Sequence, residues 1–207
     1  MFDQNSDVRK KLRAMWCLNS LGVDEAWLLT QLRHGEEHVR VWAIRLLLDA
    51  GHASPRFHQI LGELAQTDKS GLVQLFLASA MQRVPYDLRW TLAEYLANHA
   101  AFATDPVLPL MIWYGIEPAV TRERARAVKL AQTTPMPIIR KHLTRRLAED
   151  LETEPAPLNE LLKFVANSDS VPTQTEALLG MSDALRGWRK AKAPEAWSAV
   201  QSKLGDS

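Results

Sequence analysis

A recurring helix pair constrains this chain more than any other feature of its sequence. In the run from Glu37 to Gly51, apolar residues recur at three- and four-residue steps, which predicts an amphipathic helix. Arg40 and Arg45 fall outside the apolar stripe, and Gly51 occupies a C-terminal capping position. The stripe consists of Val39, Trp42, Ala43, Leu46 and Leu47.

Similar helices occur on both sides of this one at near-constant intervals. Their matching positions are Lys10, Val39 and Val73, which are 29 and 34 residues apart. Because one helix pair cannot bury its own apolar face, we expect neighbouring pairs to stack. The partner helices are predicted at Asp24–Arg33, Ser54–Gln66 and Tyr86–His99.

The pattern Val-Arg-x-x-Ala in these helix pairs resembles HEAT repeats, and no alternating strand pattern occurs in the sequence. We therefore predict an all-α fold, a single α-solenoid of HEAT-like antiparallel helix pairs over residues 1–207. Regular repeats are expected over 7–100, and less regular pairs over 105–150 and 155–204, with the best internal break near Glu154. The later helices are predicted at Asp105–Gly115, Glu117–Gln132, Pro137–Asp150, Leu158–Ala166, Thr173–Arg189 and Pro194–Leu204.

Composition excludes several classes of protein. A hydrophobic fraction of 46% over 207 residues fits a globular chain, and a net charge of +1 gives no global attraction to DNA or membranes. The one cysteine, Cys17, cannot form an internal disulfide, and its apolar neighbours predict a buried thiol. The sequence shows neither a signal peptide nor a membrane span, so we expect a cytoplasmic protein if the chain is complete.

Four segments carry a family resemblance that covers about residues 6–204. They are HVRVWAIRLLLDAG, LASAMQRVPYDLRWTLAEYLANHA, DPVLPLMIWYGIEP and SDALRGWRKAKAPEAWSAVQSKL. The chain resembles the HEAT-repeat region of planctomycete-type multidomain proteins that are identified as membrane-bound dehydrogenases or haem-binding proteins. In that family, a β-propeller domain similar to sugar dehydrogenases precedes the repeats, and a cytochrome c domain with a CxxCH motif follows them.

The resemblance implies a module without catalysis of its own and without a cofactor, because this chain has neither the propeller nor a CxxCH motif. Its implied role is to link or dock the domains of a dehydrogenase–cytochrome system. The expected partner is an adjoining dehydrogenase-like or cytochrome c domain, or another acidic protein surface. If the chain is part of such a protein, we expect it to be exported.

Two aromatic clusters are candidate partner or ligand surfaces. Arg89, Trp90 and Glu94 lie in one predicted helix, where a packed tryptophan with capping and salt-bridging polar neighbours is the favoured interpretation. An acid–base pair of Glu94 and His99 is the alternative, although a five-residue separation suits it poorly. The second cluster lies between prolines, where flat side chains could wall a ligand site or fill the core. It consists of Trp113, Tyr114 and Glu117.

The segment 121–147 is strongly basic and is the third candidate surface. Its cations could align into one stripe for an acidic protein, or for a phosphate backbone as in HEAT-like DNA glycosylases. A DNA-binding protein is therefore the alternative function, and a bilin-lyase-like enzyme ranks last because no residue set supports it. The stripe consists of Arg122, Arg126, Lys129, Arg140, Lys141, Arg145 and Arg146.

The histidines carry a weaker signal. His34 and His38 are four residues apart, a helical spacing that could ligate a metal ion. Gly35 between them predicts a turn, however, and no further ligand stands at a convincing distance in the sequence. We therefore expect solvated loop histidines and no metal site.

Overall fold

A computed structural model describes residues 2, 5–52 and 54–205 of the chain. This part of the chain is all-α, as predicted, with twelve α-helices, two short 3-10 turns and no strand. The helices are α1 (Val8–Ser20), α2 (Glu25–Gln31), α3 (Glu37–Asp49), α4 (Pro55–Thr67), α5 (Gly71–Ala80), α6 (Tyr86–Leu96), α7 (Leu108–Val120), α8 (Arg124–Thr133), α9 (Pro137–Glu149), α10 (Ala156–Asn167), α11 (Val171–Leu185) and α12 (Trp197–Gly205).

Local capping residues set many of the helix ends. The side chains of Asp24 and Ser54 accept backbone hydrogen bonds from the first turns of α2 and α4, which satisfies amides that have no partner within the helix. After α1 and α3, Gly22 and Gly51 turn the chain with φ angles of 85° and 73°. Residues other than glycine rarely adopt these backbone angles, so the prediction of a capping role for Gly51 is confirmed.

The packing divides the chain into two compact units, residues 1–96 and 97–207. In the first unit, α3 lies between α1 and α5, and α4 packs against α6. In the second unit, α9 lies between α7 and α11, and α10 lies between α8 and α12. Within each unit, a helix therefore contacts the elements one and two places away in the sequence.

Helix α3 is buried on more than one side. Val39, Ala43 and Leu47 of the predicted stripe are buried, but Val41 and Ile44 are buried as well. The prediction that α3 buries a single stripe was wrong, because the helix packs against α1, α2 and α5. A polar residue on the buried part of such a helix needs partners from a neighbouring element.

Arg40 is such a residue, and it joins three segments of the first unit. Its guanidinium donates to both carboxylate oxygens of Asp68, at 2.6 and 2.9 Å. The same group donates to the carbonyl oxygens of His34 and Gly35, which precede α3. A planar fork of donors is suited to this combination of a bidentate carboxylate and nearby carbonyls.

Two glutamates, each in the first turn of a helix, accept hydrogen bonds from serines. Each of these serines caps the helix two places further along the chain. The Ser54 hydroxyl donates to Glu25 of α2 at 2.5 Å, and the Ser70 hydroxyl donates to Glu37 of α3. Each serine also accepts a backbone hydrogen bond from its own helix, α4 or α5. The same polar contact thus joins α2 to the start of α4 and α3 to the start of α5.

Helix α7 differs from the prediction because it continues through Gly115 and Pro118 to Val120. The expected end at Gly115, and a second helix from Glu117, were therefore wrong. Ile112, Ile116 and Ala119 extend one apolar face along the helix, and all three are buried. The burial of this face outweighs the local preference of glycine and proline for a helix end.

Helices α9 and α11 approach each other closely at Gly180. A β-carbon at this position would lie 2.3 Å from the Lys141 carbonyl oxygen and 3.0 Å from the Arg145 amide nitrogen. Both atoms belong to the backbone of α9, so they cannot move aside as a flexible side chain would. Glycine at this position is therefore required for the observed packing distance.

Candidate functional site

A groove between α7 and α9 gathers one predicted aromatic cluster and part of the predicted basic stripe. Its volume is about 260 Å³. The α7 residues follow helical spacing, as do the α9 residues, so each set lines one helix face. The groove is lined by Leu110, Trp113, Tyr114 and Glu117 from α7, and by His142, Arg145, Arg146 and Glu149 from α9.

The floor of this groove is an aromatic stack. The Trp113 and His142 rings lie nearly parallel, with an interplanar angle of 15° and 5.2 Å between their centroids. Trp113 is only 7% exposed, whereas Tyr114 next to it in the sequence is 51% exposed. The cluster therefore contains one ring that fills the core, Trp113, and one ring that a ligand can reach, Tyr114. Each of the two interpretations of the sequence describes one of these residues.

The surroundings of His142 favour its neutral form. Partial burial lowers the pKa of His142, because a charged imidazole loses hydration there. The nearby cations Lys141 and Arg145 lower this pKa further, against the opposing effects of Asp183 and Glu117. A neutral imidazole stacked on an indole provides a flat apolar floor between charged walls.

The charged walls of the groove carry both signs. Arg145 and Arg146 contact Glu149 at 3.1 and 3.3 Å, and Arg146 also contacts Asp150 at 3.4 Å. Glu117 is exposed on the opposite wall. Arg145 and Glu149 are both exposed, and an exposed pair contributes little to stability and can exchange partners at low cost. The groove can therefore accept a polar partner that carries either charge beside a flat apolar group.

The remaining residues of the predicted stripe do not share one surface role. Arg140 is buried, donates to the carbonyl oxygens of Ala131 and Thr134, and binds the Glu176 carboxylate. Lys141 contacts Asp183 at 2.8 Å, and Arg126 contacts Glu123 at 3.6 Å. Arg140 therefore joins α8, α9 and α11, and acidic residues lie beside several of the other cations. Arg122 and Lys129 are exposed.

The other aromatic cluster lies in the first unit and has a packing role. Trp90 is fully buried in α6. Arg89 stacks over the Tyr86 ring at 4.7 Å and donates to the carbonyl oxygens of Gln82 and Val84, which precede the helix. Glu94 is half-buried on the same helix. Trp90 is therefore a packed residue, and Arg89 caps the backbone that precedes α6, while the salt-bridging part of the interpretation stays a prediction.

Two further expectations can be compared with the structure. Cys17 is exposed rather than buried, because its apolar neighbour Met15 takes the inward position on α1.

His34 lies before α3, where its Nδ1 atom accepts a hydrogen bond from the Glu36 amide. Over residues 2, 5–52 and 54–205, no three His, Cys, Asp or Glu side chains are grouped as a metal site would require.

His142 is a groove residue that belongs to none of the surfaces predicted from the sequence. The available signal was the repeat interval, since His142 follows Trp113 by 29 positions, like Val39 after Lys10. Residues one repeat apart in a helical array lie on adjacent helices. Matching positions across successive repeats would have placed the imidazole beside the indole.

Comparisons with other proteins found no match: no family model, no curated protein and no solved structure is similar to this chain. In the part of the chain that the structure describes, none of the helices has both the length and the apolar character of a membrane span.

Proposed function

We propose that this chain is a non-catalytic HEAT-like α-solenoid that serves as a scaffold for protein interaction. Support for the solenoid comes from the packing within each unit, where the substantial helix contacts join elements one or two places apart in sequence. Support for the interaction comes from the α7–α9 groove. It presents Tyr114, Arg145 and Arg146 around the Trp113–His142 stack, and tyrosine, tryptophan and arginine are the residues enriched at binding hot spots.

The proposed partner is an adjoining dehydrogenase-like or cytochrome c domain, as the family resemblance implies. The mixed charges of the groove suit a protein surface that offers an aromatic or aliphatic side chain between acidic and basic residues. The observation that carries this proposal is the α7–α9 groove, in which exposed Tyr114 lies beside two arginines.

Calorimetric titration of the chain with the purified cytochrome c and dehydrogenase-like domains of the source organism tests this proposal. We expect Tyr114→Ala and Arg145→Glu each to weaken binding about tenfold or more, because both change the groove without changing the core. Tyr95→Ala and Arg56→Glu are matched controls, since both residues are exposed on helices of the first unit. Binding of neither domain, or equal losses in the controls, would refute the proposal.

The alternative function, binding of nucleic acid, uses the exposed members of the 122–146 stripe. Glu149, Asp150 and Asp183 lie beside Arg145, Arg146 and Lys141, which lowers the positive potential that a phosphate backbone would meet. Retention on duplex DNA at low salt, with loss at higher salt and in Lys129→Glu, would favour this alternative.

A further inference from the structure

A second cavity lies in the 97–207 unit, and its lining residues differ from those of the α7–α9 groove. Its volume is about 370 Å³. One wall is a stripe of α11, where Leu178, Met181 and Leu185 follow three- and four-residue steps. Leu151 after α9, Pro194 before α12 and Trp197 at the start of α12 complete the walls.

The lining of the cavity is apolar apart from two side chains. Those two are Ser182 of α11, which is exposed, and Lys192 of the irregular segment between α11 and α12. Met181 and Pro194 are buried, and Trp197 is half-buried. A concave apolar site with a few polar groups is the usual form of a small-molecule pocket.

Positive charge accumulates on the segment beside the cavity. Arg189 and Lys190 precede Lys192 on this segment, and Glu195 is its one acidic residue. Arg186, at the start of the segment, contacts Asp183 at 2.6 Å. Within the described part of the chain, Arg189, Lys190 and Lys192 have no hydrogen bond or ion pair. The segment therefore has cationic groups available for a ligand.

We propose that this cavity binds a medium-chain aliphatic carboxylate, with the hydrocarbon chain against the α11 stripe and the carboxylate at the Lys192 ammonium. An apolar lining beside unpaired cations complements a molecule with an apolar body and one anionic end. A water molecule takes ~30 Å³ of the liquid, so a cavity of about 370 Å³ has room for several methylene groups. The proposal is independent of the scaffold function.

Calorimetry with decanoate, octanoate and hexanoate, each below its micelle concentration, tests the apolar half of the proposal. We expect saturable binding of one decanoate per chain, with affinity falling about fourfold for each methylene removed. Ser182→Phe places a ring at the lining from an exposed position and should abolish binding. Ser198→Phe, an exposed serine of α12 outside the cavity lining, is the matched control and should bind as the natural chain does.

A comparison of octanoate with 1-octanol tests the charged half. We expect octanoate to bind about fivefold more tightly than the alcohol, and Lys192→Ala to remove this preference while leaving the affinity for 1-octanol unchanged. Lys163→Ala, at an exposed lysine of α10, should change neither affinity. Circular dichroism of each variant establishes that it is folded before its binding is compared.

Several outcomes would overturn the proposal. Absence of saturable decanoate binding, uptake of many molecules per chain, or unchanged binding by a folded Ser182→Phe variant would each do so. Equal affinity for octanoate and 1-octanol would show that Lys192 does not take part. Binding to vesicles of anionic phospholipid without binding of free decanoate would assign the segment to membrane recognition instead.

Discussion

Arg40 shows how a single charged side chain can hold a helix pair together. Its side chain is 14% exposed and that of its partner Asp68 is 6% exposed, so the pair is shielded from water and salt. Arg33 and Glu63 form a pair in the same unit that is 57% and 41% exposed. The two arginines therefore provide a comparison of a shielded and an open ion pair within one unit.

We predict that Arg40→Ala lowers the free energy of unfolding by about 3 kcal/mol, because the buried Asp68 carboxylate and the partly buried His34 carbonyl oxygen lose their shared donor. Arg33→Ala should cost less than about 1 kcal/mol, since water replaces the lost partner. Urea denaturation at neutral pH measures both values. Similar losses in the two variants would contradict the assignment of Arg40 as the structural arginine.

His142 predicts a pH dependence whose sign follows from its environment. Burial, Lys141 and Arg145 lower its pKa below that of an unfolded chain. The unfolded state therefore binds the proton more readily, and stability falls as the pH drops from neutral through the ordinary histidine range near 6.5. The loss levels off below the lowered pKa of the folded state, where both states are protonated.

We expect His142→Gln to reduce this loss of stability between pH 7.5 and 5.5 by an amount under about 1 kcal/mol, because the half-exposed ring is partly screened by water. Urea denaturation of the natural chain and the variant at both pH values measures the difference. His58→Gln, at a half-buried histidine of α4, controls for the general effect of removing an imidazole. An unchanged pH dependence in His142→Gln would contradict the prediction.

At the scale of the helix, we expect the same substitution to have opposite effects on stability at Gly180 and at Gly62. Gly180→Ala would drive a β-carbon into the α9 backbone, so we expect a loss of about 3 kcal/mol or more in the free energy of unfolding. At Gly62 of α4, the nearest atom would be the Thr91 methyl carbon at 3.9 Å. Gly62→Ala should therefore be neutral or stabilise the chain by about 0.5 kcal/mol through helix propensity.

Thermal and urea unfolding of both glycine variants tests this pair of predictions. Both variants replace a glycine within a helix by alanine. The difference between their free energies of unfolding therefore reports how closely α9 and α11 pack. A neutral Gly180→Ala variant would mean that the two helices separate without cost.

The sequence alone predicted the elements well where the signal was local. Apolar spacing and caps placed most helices to within a few residues, and Gly51 ended α3 as expected, but the end of α7 and the start of α8 were wrong. Where the signal came from another element, prediction failed. Nothing beside Gly180 indicates that a backbone lies against it, and nothing beside Gly115 or Pro118 shows that the buried face of α7 continues through them.

The candidate site divides in the same way. Trp113, Tyr114 and Glu117 could be predicted as a cluster because they share a short segment between prolines. His142 and the pairing of Arg145 with Glu149 depend on which helix packs beside α7. Arg140 looked like a surface cation by charge alone, yet its position on α9 directs it to carbonyl oxygens and to Glu176. Charge patterns cannot distinguish these two roles.

At the scale of the whole molecule, residues 1–96 and 97–207 each form a compact unit with its own buried residues. The prediction of a single solenoid over the full length stays a prediction. We expect hydrogen exchange to report the two units separately, since local stability follows the contacts within each cooperative unit.

Hydrogen exchange measured by mass spectrometry on Gly180→Ala tests this expectation. Amides of α9 and α11 should exchange about a hundredfold faster than in the natural chain, as a loss of about 3 kcal/mol implies. Amides of α3 and α5 should keep their natural rates, because the substituted residue belongs to the other unit. An equal increase across both units would indicate that they unfold as one.

The restriction of substantial helix contacts to elements one or two places apart also bears on how quickly the chain finds its structure. Pairs such as α3 with α5, or α9 with α11, are joined by closing a short loop of chain, so little entropy is lost before the contact forms. Proteins dominated by such local contacts fold in microseconds to milliseconds. A newly made chain of this kind can complete each set of neighbouring helices soon after it is synthesised, before the remaining residues have been added.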